Sequence, residues 1–249
     1  MPDADPLARL VDLEGVPSAF AATRDGIDAL LRDRGLRRTT PETTAESLLR
    51  GAHASAVLEG SSSGLDEVRA GEGDEIAADA VRVSTGLLAL VPTLGRAPLQ
   101  VLARLHALAS SGSLPADRVG RPRDAESAAR LRDVAAVLAA PSTPSAGSAG
   151  TAAPALLVAA VVHGELATAA PFPSHNGLVA RAVERLVLVA RGVDAKSLVV
   201  PEAGHLALRP QYESNLRAYA TGGPAGMHAW LIYAAEAFAA GAEASPLRS

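Results

Sequence analysis

Residues 170–181 read APFPSHNGLVAR. A Pro-Phe pair, then His-Asn-Gly, then an apolar run carrying an arginine, is the pattern of a loop that feeds directly into a helix. Gly177 lets the backbone turn and approach a ligand closely. Asn176 is suited to cap the following helix, whose leading N–H groups are unpaired and point outward. Arg181 lies one turn further along, within reach of an anion held at that end. Taken alone, these residues also fit a plain Asn-Gly turn, and on spacing alone the plain turn is the stronger reading.

Outward from this loop the chain reads as helices punctuated by Gly, Pro and Ser. Val179, Val183, Leu186, Val187 and Ala190 give the segment after the loop one apolar face. A helix over 154–169 precedes it. Toward the N-terminus an amphipathic helix covers 16–36 and stops near Gly35. Thr40 is a good N-cap with Pro41 in the first helical position, where its missing N–H costs nothing. That second helix ends at Gly60. Residues 61–75, SSSGLDEVRAGEGDE, read as a loop with one helical turn at 65–69. Further helices cover 77–91, a segment opened by Pro98 with Val101, Leu102, Leu105, Leu108 and Ala109 on one face, 126–139, 211–220 and 225–241. PSTPSAGSAGTAA (141–153) is a low-complexity, flexible connector. Only 193–205, VDAKSLVVPEAGH, has strand-like β-branched content, and it is short. The fold class is all-α.

Hydrophobic residues make up 48% of the chain and aromatics only 3%, so the core must be built from Ala, Leu and Val. Net charge is −4, with acids and bases interspersed and no basic block, so a nucleic-acid partner has no electrostatic footprint. The absence of cysteine removes disulfides, thiolate nucleophiles and the usual structural zinc sites. The start, MPDADPLARL, lacks the basic-then-apolar profile of a signal peptide. No uninterrupted apolar run reaches the roughly 18 residues of a membrane span. The expectation is a cytoplasmic protein with no membrane partner.

Residues 52–60, AHASAVLEG, and 163–181, HGELATAAPFPSHNGLVAR, together resemble the Fic family of nucleotide-transfer enzymes. The family's loop is His-Pro-Phe-x-(Asp/Glu)-Gly-Asn-Gly-Arg-x-x-Arg, with a histidine on the preceding helix. His163 fits that helix position, and Pro171, Phe172, Asn176, Gly177 and Arg181 fit the loop. Ser55, Glu59 and Gly60 match the inhibitory pattern (Ser/Thr)-x-x-x-Glu-(Gly/Asn). LARLHALASSG, with His106, VGRPR and the segment from Tyr212 to Phe238 resemble further family segments in the correct order. The resemblance implies a Fic-like helical bundle over 61–249 with an N-terminal helical extension, 1–60, that contains the inhibitory-type helix. The family's β-hairpin flap is reduced or absent, because GRPRD runs straight into a helical pattern.

The departures fall on the chemistry. The family's general base is Ala170 here, and a methyl group accepts no proton. The magnesium-holding acid is Ser174, a poor ligand for a hard cation, so no metal is expected. The first glycine of the anion nest is His175, and the first motif arginine is Leu178. General-base catalysis supplies on the order of 100- to 10,000-fold in rate, so its loss argues against standard AMP transfer. The inhibitory pair remains, as Glu59 and Arg181. His175 is a candidate relocated base, although its side chain should project differently from the family base. His106 and His163 read as structural, and no transition-metal site is expected. Glu165, Glu184 and Glu202 read as residues of solvated helix faces, Trp230 and Tyr233 as core anchors.

Two functions follow from the resemblance. One is a degenerate member acting as a binding or regulatory module, beside an unidentified protein partner or as a homo-oligomer. The alternative is a nucleotide-binding protein with residual or altered nucleotidyl transfer to protein hydroxyls, autoinhibited by Glu59. It would use Asn176, Gly177 and Arg181 for phosphate and ATP with magnesium as ligand.

Overall fold

The computed structural model describes residues 7–32, 39–140 and 153–248. The predicted stop at Gly35 and the connector, apart from Ala153, lie outside the described residues. The helices run in the order α1 Ala8–Val11, α2 Val16–Leu30, α3 Pro41–Leu58, α4 Leu65–Ala70, α5 Glu75–Leu87, α6 Val91–Leu94 and α7 Pro98–Ala109. They continue as α8 Ala125–Ala139, α9 Ala155–Ala169, α10 Asn176–Ala190, α11 Pro201–Ala207, α12 Arg209–Thr221 and α13 Gly223–Glu243. No strand occurs among the described residues, and the all-α expectation stands.

Local chemistry explains the helix starts. The Thr40 side chain accepts from the Thr43 amide at 3.3 Å while Thr43 Oγ1 accepts from the Thr40 amide, a reciprocal cap followed by Pro41. Asp74 caps α5 through the Ala77 amide at 2.9 Å, and Asp124 caps α8 through the Ser127 amide at 2.8 Å. Gly60, just past the α3 C-cap at Glu59, adopts φ +102°, a left-handed conformation that suits glycine.

α9 is the central element. Leu156 to Gly164 are all buried, so it is apolar all round. Together with α10 it forms a helical hairpin joined by the 170–175 loop. α13 packs against α2, α11 and α12, and α3 packs against α5 and α11, so α3 is built into the bundle. The core is the expected mixture of Ala, Leu and Val, with Trp230 and Tyr233 buried in it.

Three sequence expectations change. The strand-like stretch 193–205 is a turn followed by α11. Asp194 Oδ2 accepts from the Val199 amide at 2.6 Å, which folds the segment back on itself, and Pro201 then opens the helix. The 77–91 window breaks at Leu87 into a 3-10 turn before α6. The stretch Glu75–Leu94 has the length and the mean hydropathy, 1.3, of a membrane span, contrary to the sequence reading. It also carries Asp79 and Arg82, both engaged in polar contacts described below.

α11 crosses α13 where both are small. The amide of Val200 donates to the Gly241 carbonyl at 3.0 Å, and a Cβ placed on Gly204 would fall inside the Ala237 carbonyl oxygen. Gly204→Ala should therefore force the two helices apart and destabilise the fold by about 1–3 kcal/mol. A lowered urea midpoint at unchanged slope would register it.

Candidate functional site

The loop between α9 and α10 is held from both sides. α9 ends at Ala170, whose φ of 44° is left-handed. The Arg123 amide donates to the Pro171 carbonyl at 2.9 Å, and its guanidinium donates to the Ala169 carbonyl at 3.2 Å, so the VGRPR segment pins the loop from outside. From inside, Asn176 Oδ1 accepts from the Phe172 amide and Nδ2 donates to the Phe172 carbonyl, both at 2.9 Å. Asn176 thus braces the loop instead of capping the helix, and His175 occupies the cap position with φ 57°. Phe172 is buried and stacks on His106 with ring centres 4.4 Å apart. His106 Nδ1 accepts from the Gly120 amide at 2.8 Å, which leaves its proton on Nε2, a buried atom with no partner among the described residues. Burial, with a smaller contribution from the charge of His175, pushes the His106 imidazole down to about 4.

Arg181 projects from the first turns of α10 and is only 2% exposed. Its Nε donates to Ser55 Oγ at 2.7 Å and one terminal nitrogen donates to the Tyr212 hydroxyl at 3.1 Å. The other terminal nitrogen donates to the Ser55 carbonyl at 3.2 Å and to Glu59 at 2.6 Å. The predicted Glu59–Arg181 pair is therefore formed, with Glu59 at 31% side-chain exposure. The same Glu59 oxygen sits where a side chain on residue 177 would begin, so a larger residue there would push the carboxylate aside. The carboxylate thus lies beside the α10 N-terminus, whose leading amides at Asn176, Gly177 and Leu178 have no partner among the described residues.

Behind Arg181 lies a polar network that sequence reasoning missed. Glu184 is fully buried, not on a solvated face. Its Oε2 lies 2.9 Å from His205 Nε2, and its Oε1 lies 2.9 Å from His163 Nδ1, at contact distance but off the line of a good hydrogen bond. His163 Nε2 faces the Tyr212 hydroxyl at 2.9 Å and His205 Nδ1 faces that of Tyr233 at 2.8 Å. Burial pushes His163 down to about 4, outweighing the opposing pull of Glu184. Burial alone would raise the Glu184 carboxyl, but His163 and His205 outweigh it and hold it near about 2.

His163, Glu184 and His205 offer donor atoms within 4.8 Å of one another, the one set among the described residues that could hold a metal ion. A single carboxylate beside the buried Arg181 guanidinium supplies little negative charge for a divalent cation. The tyrosine-backed hydrogen-bond network accounts for the arrangement better. Glu202 is likewise buried and paired, 3.0 Å from Arg185, whose other donors reach Ser47 and Ser197. Glu165 accepts from the Tyr219 hydroxyl at 2.8 Å. No regular spacing relates these partners, so the sequence offered no signal beyond acids inside otherwise apolar helices.

The loop positions that depart from the Fic pattern each have a defined place in the structure. Leu178 is 2% exposed and belongs to the core. Ser174 Oγ lies 2.6 Å from His175 Nδ1, and His175 Nε2 lies 3.0 Å from Asp79 Oδ2 on α5. Asp79 also pairs with Arg82 through its other oxygen.

No protein-family model matches the chain, and no curated protein does. The fold has solved counterparts. A Fic family protein from Desulfovibrio desulfuricans G20 superposes with a TM-score of 0.72 at 15% identity, over 93% of this chain and 74% of that one. A fragment of Fic-1 from C. elegans gives 0.65 at 17% identity, over 98% of this chain and 77% of that one. The helical architecture is therefore the Fic fold, as the sequence resemblance implied.

The buried titrating groups give the fold an acid limit. His106 and His163 stay neutral in the folded chain down to about 4, whereas unfolded imidazoles protonate below about 6.5. Between those values the unfolded state binds more protons, so stability should fall as pH drops from about 6.5 to about 4. Glu184 extends the loss in the same direction below about 4.3. Urea midpoints measured across that range should decline steeply for the native chain. Glu184→Gln, which replaces the buried carboxylate that accepts from His205 and lies against His163, should cost about 1–3 kcal/mol at neutral pH.

Proposed function

We infer that this Fic-fold chain acts as a binding or regulatory module and does not perform standard AMP transfer. The observation that carries this reading is the state of Arg181. It is buried, and all three of its nitrogens are committed to Ser55, Glu59 and Tyr212. A phosphate would have to displace protein groups that already answer the charge. The residues around it support the same reading. Ala170 offers no base, Leu178 is buried in the core, and Ser174 is turned toward His175 in place of a metal. Loss of the base alone removes on the order of 100- to 10,000-fold. The Glu59–Arg181 pair is then retained because stranding a buried guanidinium costs about 3–5 kcal/mol. The expected partner is another protein, a second copy of this chain included.

One observation favours a second reading. Glu59 is part-exposed and its carboxylate lies against Gly177, at the helix end where an anion would bind. A nucleotide that displaced it would find the amides of Asn176 and Gly177 and the Arg181 guanidinium. In that case Glu59 would be an inhibitor of a working site for ATP with magnesium.

Calorimetric titration of ATP with magnesium into the wild type and Glu59→Gly separates the two. The module reading expects no heat of binding to either, with both folded by circular dichroism. Binding to Glu59→Gly alone would overturn it in favour of the gated nucleotide site. AMP-modified peptides in lysate after overexpression would overturn it as well.

A further inference from the structure

Two of the positions at which the loop loses nucleotide chemistry carry side chains that bond to each other. Ser174 Oγ is 2.6 Å from His175 Nδ1, and the opposite ring nitrogen is 3.0 Å from Asp79 Oδ2. The carboxylate fixes the proton of the neutral ring on Nε2 and leaves Nδ1 as the acceptor for the serine hydroxyl. Asp79 is itself held, buried at 7% exposure and paired with Arg82 from the next turn of α5. Arg82 is anchored in turn to the Leu108 carbonyl at 3.2 Å. The sequence separation of His175 and Asp79 makes this arrangement tertiary. The His175 backbone is left-handed at φ 57°, a conformation uncommon outside glycine. The histidine side chain is 18% exposed, so solvent reaches the pair.

We propose that Ser174, His175 and Asp79 form a serine-nucleophile site for uncharged carboxylic esters. The substrate class follows from what surrounds the triad. A phosphate ester would need counter-charge, yet the metal-ligand position is the serine itself, the first arginine is Leu178, and Arg181 is occupied by Glu59. An uncharged ester needs only a nucleophile, a base and donors for the developing oxyanion. The unpartnered amides of Asn176, Gly177 and Leu178 begin immediately after the serine–histidine pair and are the donors nearest in the chain.

In the first step Ser174 Oγ attacks the ester carbonyl carbon and its proton passes to His175 Nδ1. The carbon–alkoxy bond breaks, and the alcohol leaves with that proton. Water then attacks the acyl-serine, giving its proton to His175. The acyl–Oγ bond breaks, the carboxylic acid departs, and Oγ recovers the proton. No oxidant, metal or nucleotide enters. Ser174 and His175 are the catalytic residues, and Asp79 is a positioning residue. Arg181 takes no part in these steps, and Glu59, whose carboxylate lies against Gly177, need only turn aside from the donor amides.

A tagged alkyl fluorophosphonate reads this directly. Oγ attacks phosphorus, fluoride leaves, and the adduct is mapped by tandem mass spectrometry on the folded full-length chain. The expected result is one adduct, on Ser174, absent in Ser174→Ala and after heat unfolding. Asn tolerates the left-handed backbone, so His175→Asn tests the base with the loop conformation kept. His175→Asn and Asp79→Asn should each label about 100-fold more slowly, and Asp79→Glu should recover to within about tenfold of the wild type. Hydrolysis of 4-nitrophenyl acetate should follow the same order. A folded wild type with no adduct, or adducts only elsewhere, would overturn the site. Unchanged labelling in His175→Asn would overturn the base, and equal loss in Asp79→Asn and Asp79→Glu would overturn the role of Asp79.

Discussion

A guanidinium that keeps only 2% of its surface in water must have its charge and its donors answered by protein. Around Arg181 the answers come from three directions: Ser55 and Glu59 at the end of α3, and Tyr212 on α12. Tyr212 is in turn placed by His163 on α9, and His163 by Glu184, one turn along α10 from Arg181. One buried cation therefore ties four helices together through a single chain of polar contacts. Close packing already resists slips between those helices, and these polar contacts add limits of distance and direction. The fit between α3 and the α9–α10 hairpin is fixed by this chemistry as much as by the Ala-Leu-Val core.

The loop after α9 shows a conformation held by residues other than the ones that adopt it. Ala170 and His175 both sit in left-handed backbone, where a Cβ is unwelcome. The loop holds because Arg123 grips the Pro171 carbonyl, Asn176 brackets Phe172, and Phe172 stacks on His106. None of these contacts involves the side chains at 170, 174, 175 or 178. The loop's shape therefore does not depend on the side chains of Ala170, Ser174, His175 or Leu178.

Much of the architecture was legible in the sequence because its signals are local. Thr40–Pro41 opening α3, Gly60 closing it, and the apolar face of α10 each depend on residues a turn or two apart. The Glu59–Arg181 pair was legible only through resemblance, since nothing local links residues so far apart. Glu184 and Glu202 were misread for the same reason. A glutamate on a helix usually faces water, and the histidines, serines and arginine that reverse that rule here come from other elements. Val199 and Val200 misled differently. Their β-branched side chains are buried in a turn shaped by Asp194, where propensity yields to tertiary burial. Asp79 gave a faint signal as an acid within an apolar helix, with nothing to say which loop it would meet.

The chain has one tryptophan, and Trp230 sits edge-on to His163 at 5.3 Å, among Tyr212, Tyr219 and Tyr233. Its indole N–H donates to the Ala160 carbonyl at 2.8 Å, which fixes the ring in place. Imidazolium quenches indole emission and neutral imidazole does so far less, so the brightness of this fluorophore follows the protons on its two histidine neighbours, His163 and His205. The protein thus carries an intrinsic optical reporter at the centre of its charge network, readable without label or substitution.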